Sequence, residues 1–144
     1  MLEIIERMKR GEIDPPPIAK LIGFDIVEVE KGRAVVKLEA GVQHWNPMGT
    51  VHGGVFVDVA DAAMGIAFAS TLEAAEAFTT VELKINYLRP VKEGTLIASG
   101  EVVYRGQTLG LVEAVVVDAE GRMLAKVSST CMILRGEKAN GRSI

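Results

Sequence analysis

Between residues 44 and 61 the chain reads His44-Trp45-Asn46-Pro47-Met48-Gly49-Thr50-Val51-His52-Gly53-Gly54-Val55-Phe56-Val57-Asp58-Val59-Ala60-Asp61. An amide, an imidazole and two adjacent glycines stand just ahead of an apolar stretch whose only charges are two aspartates. If a helix begins at His52-Gly53-Gly54, its first N–H groups have no intrahelical acceptor, and the helix dipole places partial positive charge there. Glycine also lets a substrate carbonyl approach closely. Such an arrangement suits acyl chemistry, in which an oxyanion must be stabilised. Each part alone has a plainer reading. Gly53-Gly54 could serve only tight packing, His52 could be a capping or core histidine, and Asn before Pro47 is a common turn opener.

Asp61 lies nine residues beyond His52, more than two turns into a helix that otherwise carries only Asp58. An ionised carboxylate in apolar surroundings costs several kcal/mol unless it is partnered, so Asp61 is paired, neutral or used. Asp58, three residues earlier, shares roughly the same face, and two neighbouring acids push one pKa upward. The alternative places both aspartates on a solvent-facing strip stabilised by the dipole. Cys131 is the only cysteine, and alternation within Val127-Ser128-Ser129-Thr130-Cys131-Met132-Ile133 puts it on the face of Val127 and Ile133. With no His or other base nearby in sequence, it reads as a buried small hydrophobe rather than a nucleophile. Two histidines and one cysteine show no metal-ligand spacing, so no metal is expected.

These residues need elements to hold them. Leu2, Ile5 and Met8 recur at helical spacing, and Gly11 with Pro15-Pro16-Pro17 ends that helix. A short turn from 18 to 22 follows, making 1–21 an N-terminal helical segment. Phe24 to Glu30 and Ala34 to Ala40, joined by Lys31-Gly32-Arg33, read as an antiparallel hairpin. After the polar loop 41–52, Gly53 to about Ser70 reads as a helix apolar on all sides, which must be surrounded by protein. A linker near Glu73-Ala74-Ala75-Glu76 leads to four strand-like runs, 79–88, 95–104, 109–118 and 123–134, separated by turn chemistry. In the first, Val81, Leu83, Ile85 and Tyr87 alternate with Glu82, Lys84 and Asn86. Loops too short for crossover helices require an antiparallel sheet. The fold class is therefore α+β, about six antiparallel strands with one long central helix across a face, over residues 22–134. Residues 135–144, polar and glycine-containing, read as a flexible tail.

Composition narrows the function. At 144 residues the chain is most simply one domain, able to bury roughly 70% of its unfolded surface without disulfides. Hydrophobic residues at 49% and charged residues at 24% place it in the globular class. A net charge of -3 and aromatics at 5% argue against nucleic acid or an anionic membrane as the partner. The apolar run 55–69 is too short for a span, which needs ~20 residues. The opening residues lack the pattern of a signal peptide, and the single cysteine favours a reducing, cytoplasmic setting.

Taken together, Asn46, Gly49, His52-Gly53-Gly54 and Asp61 at these spacings resemble the hotdog-fold acyl-CoA thioesterases, in the branch related to the phenylacetate-degradation thioesterases. The run Thr80-Val81-Glu82-Leu83-Lys84-Ile85-Asn86-Tyr87-Leu88-Arg89-Pro90 resembles that family's strand after the helix, and the likeness covers 22–134. The resemblance implies hydrolysis of an acyl-CoA to coenzyme A and a free acid, with no cofactor beyond the substrate's own coenzyme A. It gives Asp61 the role of general base or nucleophile, and the Gly53 N–H that of oxyanion donor, with Gly54 beside it at the substrate. Asn46 and His52 would order the loop and reacting groups, and Thr80 would hold water near Asp61. Strict alternation puts Thr80 on the polar face of its strand, so a bulge or strand start must redirect it. The resemblance further implies a homodimer, often pairing into a homotetramer. Each site would be shared, with Asn46, His52 and Gly53 from one subunit and Asp61 and Thr80 from the other. Arg89, Lys92 and Arg105, at strand ends, could meet the coenzyme A phosphates or be solvated turn charges.

Two other functions fit the same fold. A non-catalytic acyl-CoA binding module would keep its affinity without Asp61, although roughly 20 residues before the first strand cannot supply a helix-turn-helix reader. A hotdog hydratase or dehydratase would need a His–acid couple, which His52 and Asp61 could imitate. Phe56, Phe68, Met64 and Met48 are the side chains expected to size the acyl pocket.

Overall fold

The computed structural model describes residues 1–141. Helices α1 (Leu2–Lys9) and α2 (Pro17–Ile22) precede strands β1 (Phe24–Glu30) and β2 (Arg33–Ala40). Helix α3 (Gly53–Ala69) follows, then β3 (Ala77–Tyr87), β4 (Gly94–Arg105), β5 (Leu109–Val117) and β6 (Met123–Leu134). β3 starts two residues before the expected Thr79, because Ala77 and Phe78 already pair with Leu134 and Ile133. The six strands form one antiparallel sheet in the order β1-β2-β4-β5-β6-β3. β3 is therefore an edge strand although it follows the helix directly in sequence.

The sheet curls around α3, as the all-round apolar character of that helix requires. Val59, Ala60, Ala63, Met64, Ala67 and Phe68 of α3 are at most 1% exposed. They meet the inward row of the sheet, which includes Val36, Leu38, Leu96, Ala98, Val112, Ala114, Val116 and Val127. The closest approach is at Gly100 of β4, where a Cβ would lie 2.6 Å from the backbone carbon and oxygen of Ala63. Gly110 of β5 leaves the room that the Phe68 ring fills, 2.1 Å from where its Cβ would be. α1 covers the other end of α3: its periodic residue Ile5 is buried with Val29, Ala34, Ala67 and Ala69.

The segment 135–144 departs from the expected flexible tail at its start. The Arg135 guanidinium pairs with Glu76 and donates to the Gln107 carbonyl, and Gly136–Ala139 form a short 3-10 turn. Residues 142–144 lie outside the described residues.

Gly100→Ala should destabilise the fold by about 1–3 kcal/mol, because the added methyl meets helix backbone that cannot rotate away. Gly65→Ala, in α3 with its nearest neighbour at an ordinary 3.5 Å, should instead be neutral or stabilising, since glycine costs a helix interior about 1 kcal/mol. Thermal or urea unfolding of the two variants beside the parent measures the contrast, and equal effects would remove Gly100 as the seating point.

Candidate active site

The loop before α3 is built from its own polar groups. His44 is buried; its Nδ1 accepts from the Gly41 N–H at 3.1 Å and its Nε2 lies 2.8 Å from the Ile22 carbonyl, so that Nε2 is the protonated nitrogen. Asn46 spends its side chain inside its own turn: Oδ1 accepts from Met48 N–H and Thr50 N–H, and Nδ2 donates to Thr50 Oγ1. Gly49, at φ +74, closes that turn. Asn46 thus orders the loop, and its amide is not free to face a substrate in this arrangement. The His52 N–H donates to the His44 carbonyl at 2.8 Å, which ties the ordered loop to the first residue before the helix.

His52 caps α3, its Nδ1 accepting the Gly54 N–H at 2.9 Å. The Val55 N–H goes to the His52 carbonyl. Among the described residues the Gly53 N–H has no acceptor, so the helix dipole and one unused donor coincide at that amide. Why position 53 is glycine has a local reason as well: a Cβ there would sit 2.8 Å from Tyr87 Oη.

Asp61 sits two turns further along, half-buried, with the Thr80 hydroxyl donating to its Oδ1 at 3.4 Å. The parity conflict at Thr80 is resolved by a bulge. Thr80 pairs with Cys131 and Glu82 with Thr130, leaving Val81 as the extra residue. Val81, expected beside Leu83 on the apolar face, is 53% exposed for this reason. The buried Ser129 hydroxyl donates to the Glu82 carbonyl at 2.9 Å and so satisfies backbone at the bulge. Burial first, and the neighbouring Asp58 charge besides, raise the Asp61 carboxyl above the usual 3.8, while the Thr80 hydroxyl opposes them. Asp58 has no hydrogen bond or ion pair among the described residues. Cys131, beside Thr80 in register, is buried, and desolvation pushes its thiol up to about 11, which keeps it protonated.

The three cations of the sequence reading separate. Arg89 and Lys92 line a cavity of about 520 Å³ between the β3–β4 connection and the β5–β6 turn, with Arg122 beside them. This cavity adjoins the ordered loop, since Val51 N–H donates to the Val91 carbonyl and Trp45 Nε1 to that of Lys92. Arg105 lies elsewhere and is committed to Glu76, whose carboxylate also holds Arg135. His52 and Asp61, nine residues apart along one helix, stand about 13 Å apart by helical rise and form no couple within one chain.

Tyr87 is the residue that sequence reasoning missed. It was one more member of the apolar face of β3, yet its hydroxyl donates to the Gly53 carbonyl at 3.0 Å. Its ring meets Phe56 of α3 edge-on, with centroids 5.9 Å apart. The only signal in the sequence is a tyrosine where an aliphatic residue would complete the alternation.

A carboxyl-resolved NMR titration should place the Asp61 pKa above 3.8. Asp58→Asn should lower it without restoring the ordinary value, because burial, the larger cause, remains. An Asp61 pKa at or below 3.8 would contradict this electrostatic picture.

A family model described as thioesterase superfamily matches residues 48–125. An acyl-coenzyme A thioesterase, PaaI, of Escherichia coli is 32% identical over 108 residues, 74% of this chain and 75% of that one. A 1,4-dihydroxy-2-naphthoyl-CoA hydrolase of Listeria monocytogenes is 31% identical over 121 residues, 84% of this chain and 98% of that one. The solved structure of the E. coli PaaI protein from the phenylacetic acid degradation operon superposes with a TM-score of 0.82 at 25% identity, covering 94% of this chain and 96% of that one. The hotdog sheet and helix are thus shared with a solved thioesterase relative, and the chain belongs to the thioesterase superfamily as a thioester hydrolase.

Proposed function

We propose that the protein hydrolyses an acyl-CoA to coenzyme A and a free carboxylic acid in sites shared between two copies of the chain. The observation that carries this reading is the pairing of two groups on one helix: a half-buried Asp61 with a raised pKa and a Thr80 hydroxyl on its carboxylate, and a Gly53 N–H left without an acceptor. The first can take a proton from water or attack the thioester carbon itself; the second can receive the negative charge that develops on the carbonyl oxygen. The relatives named above as acting on coenzyme A thioesters support the substrate class.

Sharing follows from length. Gly53 and Asp61 are eight residues apart on α3, about 12 Å by helical rise, whereas a thioester carbon and its carbonyl oxygen are neighbours. The Asp61 of one copy therefore serves a carbonyl held at Gly53 of another. The open edge of β3, with Val81, Tyr87 and Leu88 all more than half exposed, is the edge a second copy would cover. Arg89 and Lys92, which have no ion-pair partner among the described residues, are assigned to the coenzyme A phosphates. Arg105, held by Glu76, makes at most a minor contribution there.

Asp61→Asn should cut kcat on an acyl-CoA by about two to four orders of magnitude, read as thiol release. The same variant should melt higher than the parent at neutral pH. A carboxyl whose folded pKa is raised loses stability as pH climbs from the unfolded value through the folded one, and the amide is spared that loss. The stability gain should vanish below the ordinary aspartate range. Full activity in Asp61→Asn would end the assignment.

Gly53→Pro removes the N–H, and His52, at φ -61 and ψ 137, is already in a conformation allowed before proline. The new Cβ would stand 2.8 Å from Tyr87 Oη, so the tyrosine side chain must turn aside, and circular dichroism should first show the variant folded. Alone it should be inactive. Refolded 1:1 with Asp61→Asn, it should recover about a quarter of parental activity, because half the dimers are mixed and each carries one intact site. No recovery from a folded mixed dimer would refute sharing.

A further inference from the structure

We infer that Tyr87 is a positioning residue for the oxyanion donor, clamping the first turn of α3 so that the Gly53 N–H is held where the reacting carbonyl oxygen must sit. The inference rests on the hydrolase reading of the site and extends it to a side chain with no other assigned role. Helix ends fray, and the amides of the first turn lack the intrahelical acceptors that hold those behind them. Here the first turn is gripped from two sides. His52 Nδ1 takes the Gly54 N–H at 2.9 Å, and Tyr87 Oη donates to the Gly53 carbonyl at 3.0 Å.

The contact is shaped for position rather than for burial. Within its own chain Tyr87 is 52% exposed, and one neutral hydrogen bond there adds only about 1 kcal/mol to folding. The hydroxyl reaches the helix because the ring is braced edge-on against Phe56, at 88° and 5.9 Å. Glycine at 53 is what admits it, since a Cβ would stand 2.8 Å from Oη and 3.0 Å from the ring carbon that bears it. β3 therefore touches both halves of the catalytic helix: Thr80 grips Asp61 and Tyr87 grips Gly53. A donor displaced by even a fraction of the distance to an oxyanion loses much of its effect on the transition state, while ground-state binding through coenzyme A is untouched.

Tyr87→Phe keeps the ring and deletes only the hydroxyl. On an acyl-CoA that the parent hydrolyses, kcat should fall on the order of tenfold. KM should stay within about twofold, and the acid limb set by Asp61 should not move. In the same variant, amide hydrogen exchange at Gly54 and Val55 should quicken while the interior of α3 stays protected. A folded variant with parental kcat, or one whose loss lies in KM alone, overturns the inference. So does loss of the fold, which would make the contact structural. If the parent itself releases no thiol from any acyl-CoA, the hydrolase reading fails instead; the exchange experiment then still decides whether the clamp exists, and unchanged exchange overturns it.

Discussion

A helix can lie only as close to a sheet as the side chains between them allow, and in this chain the clearance at the closest point is set by hydrogen atoms. Ala60, Ala63 and Ala67 present methyl groups, and Gly100 presents nothing, so helix backbone rests on strand backbone. Larger residues fill the space to either side, with Phe68 over Gly110 as the extreme case. The seating fixes the depth of the whole helix. Asp61 is drawn far enough from water for its carboxyl to resist ionisation, yet it remains within reach of a strand hydroxyl. Raising the helix by the width of a methyl would loosen both relations at once.

The edge strand β3 supplies the second constraint, and it works through the single extra residue Val81. Before the bulge Phe78 and Thr80 face the helix; after it Leu83 and Ile85 do. Ser129 holds the irregular backbone in place with its buried hydroxyl. One strand thereby delivers a polar contact to the acid and an aromatic contact to the helix start without breaking the apolar face between them. Its opposite side stays unpaired among the described residues, which leaves the same residues accessible to another copy of the chain.

Much of this was legible in the amino-acid sequence because it depends on local pattern. An apolar helix carrying two acids, turn residues between short alternating runs and glycines at a helix start each have one dominant physical reading. Hairpin and helix limits followed those patterns closely, and the parity conflict at Thr80 called for either a bulge or a strand start, of which the bulge at Val81 is the one present. What pattern could not supply was partnership across the chain. Glu76 looked like linker, yet it gathers Arg105 and Arg135 from two distant turns, which is why the segment after β6 begins anchored and why Arg105 is not a free cation. Tyr87 looked like core. Its hydroxyl finds Gly53 only because β3 runs along the side of α3, a relation set by strand order and not by spacing.

The bulge also makes chain length a functional quantity. Between Thr80 and Leu83 it is the count of residues, more than their identity, that decides which side of the strand each hydroxyl and aliphatic group occupies. A one-residue deletion at Val81 would remove a side chain that packs little within its own chain, yet it would turn either Thr80 or the Leu83–Ile85 pair outward. Within one chain a deletion there is then worse than a substitution, and homologous strands aligned without a gap there would be matched to the wrong face.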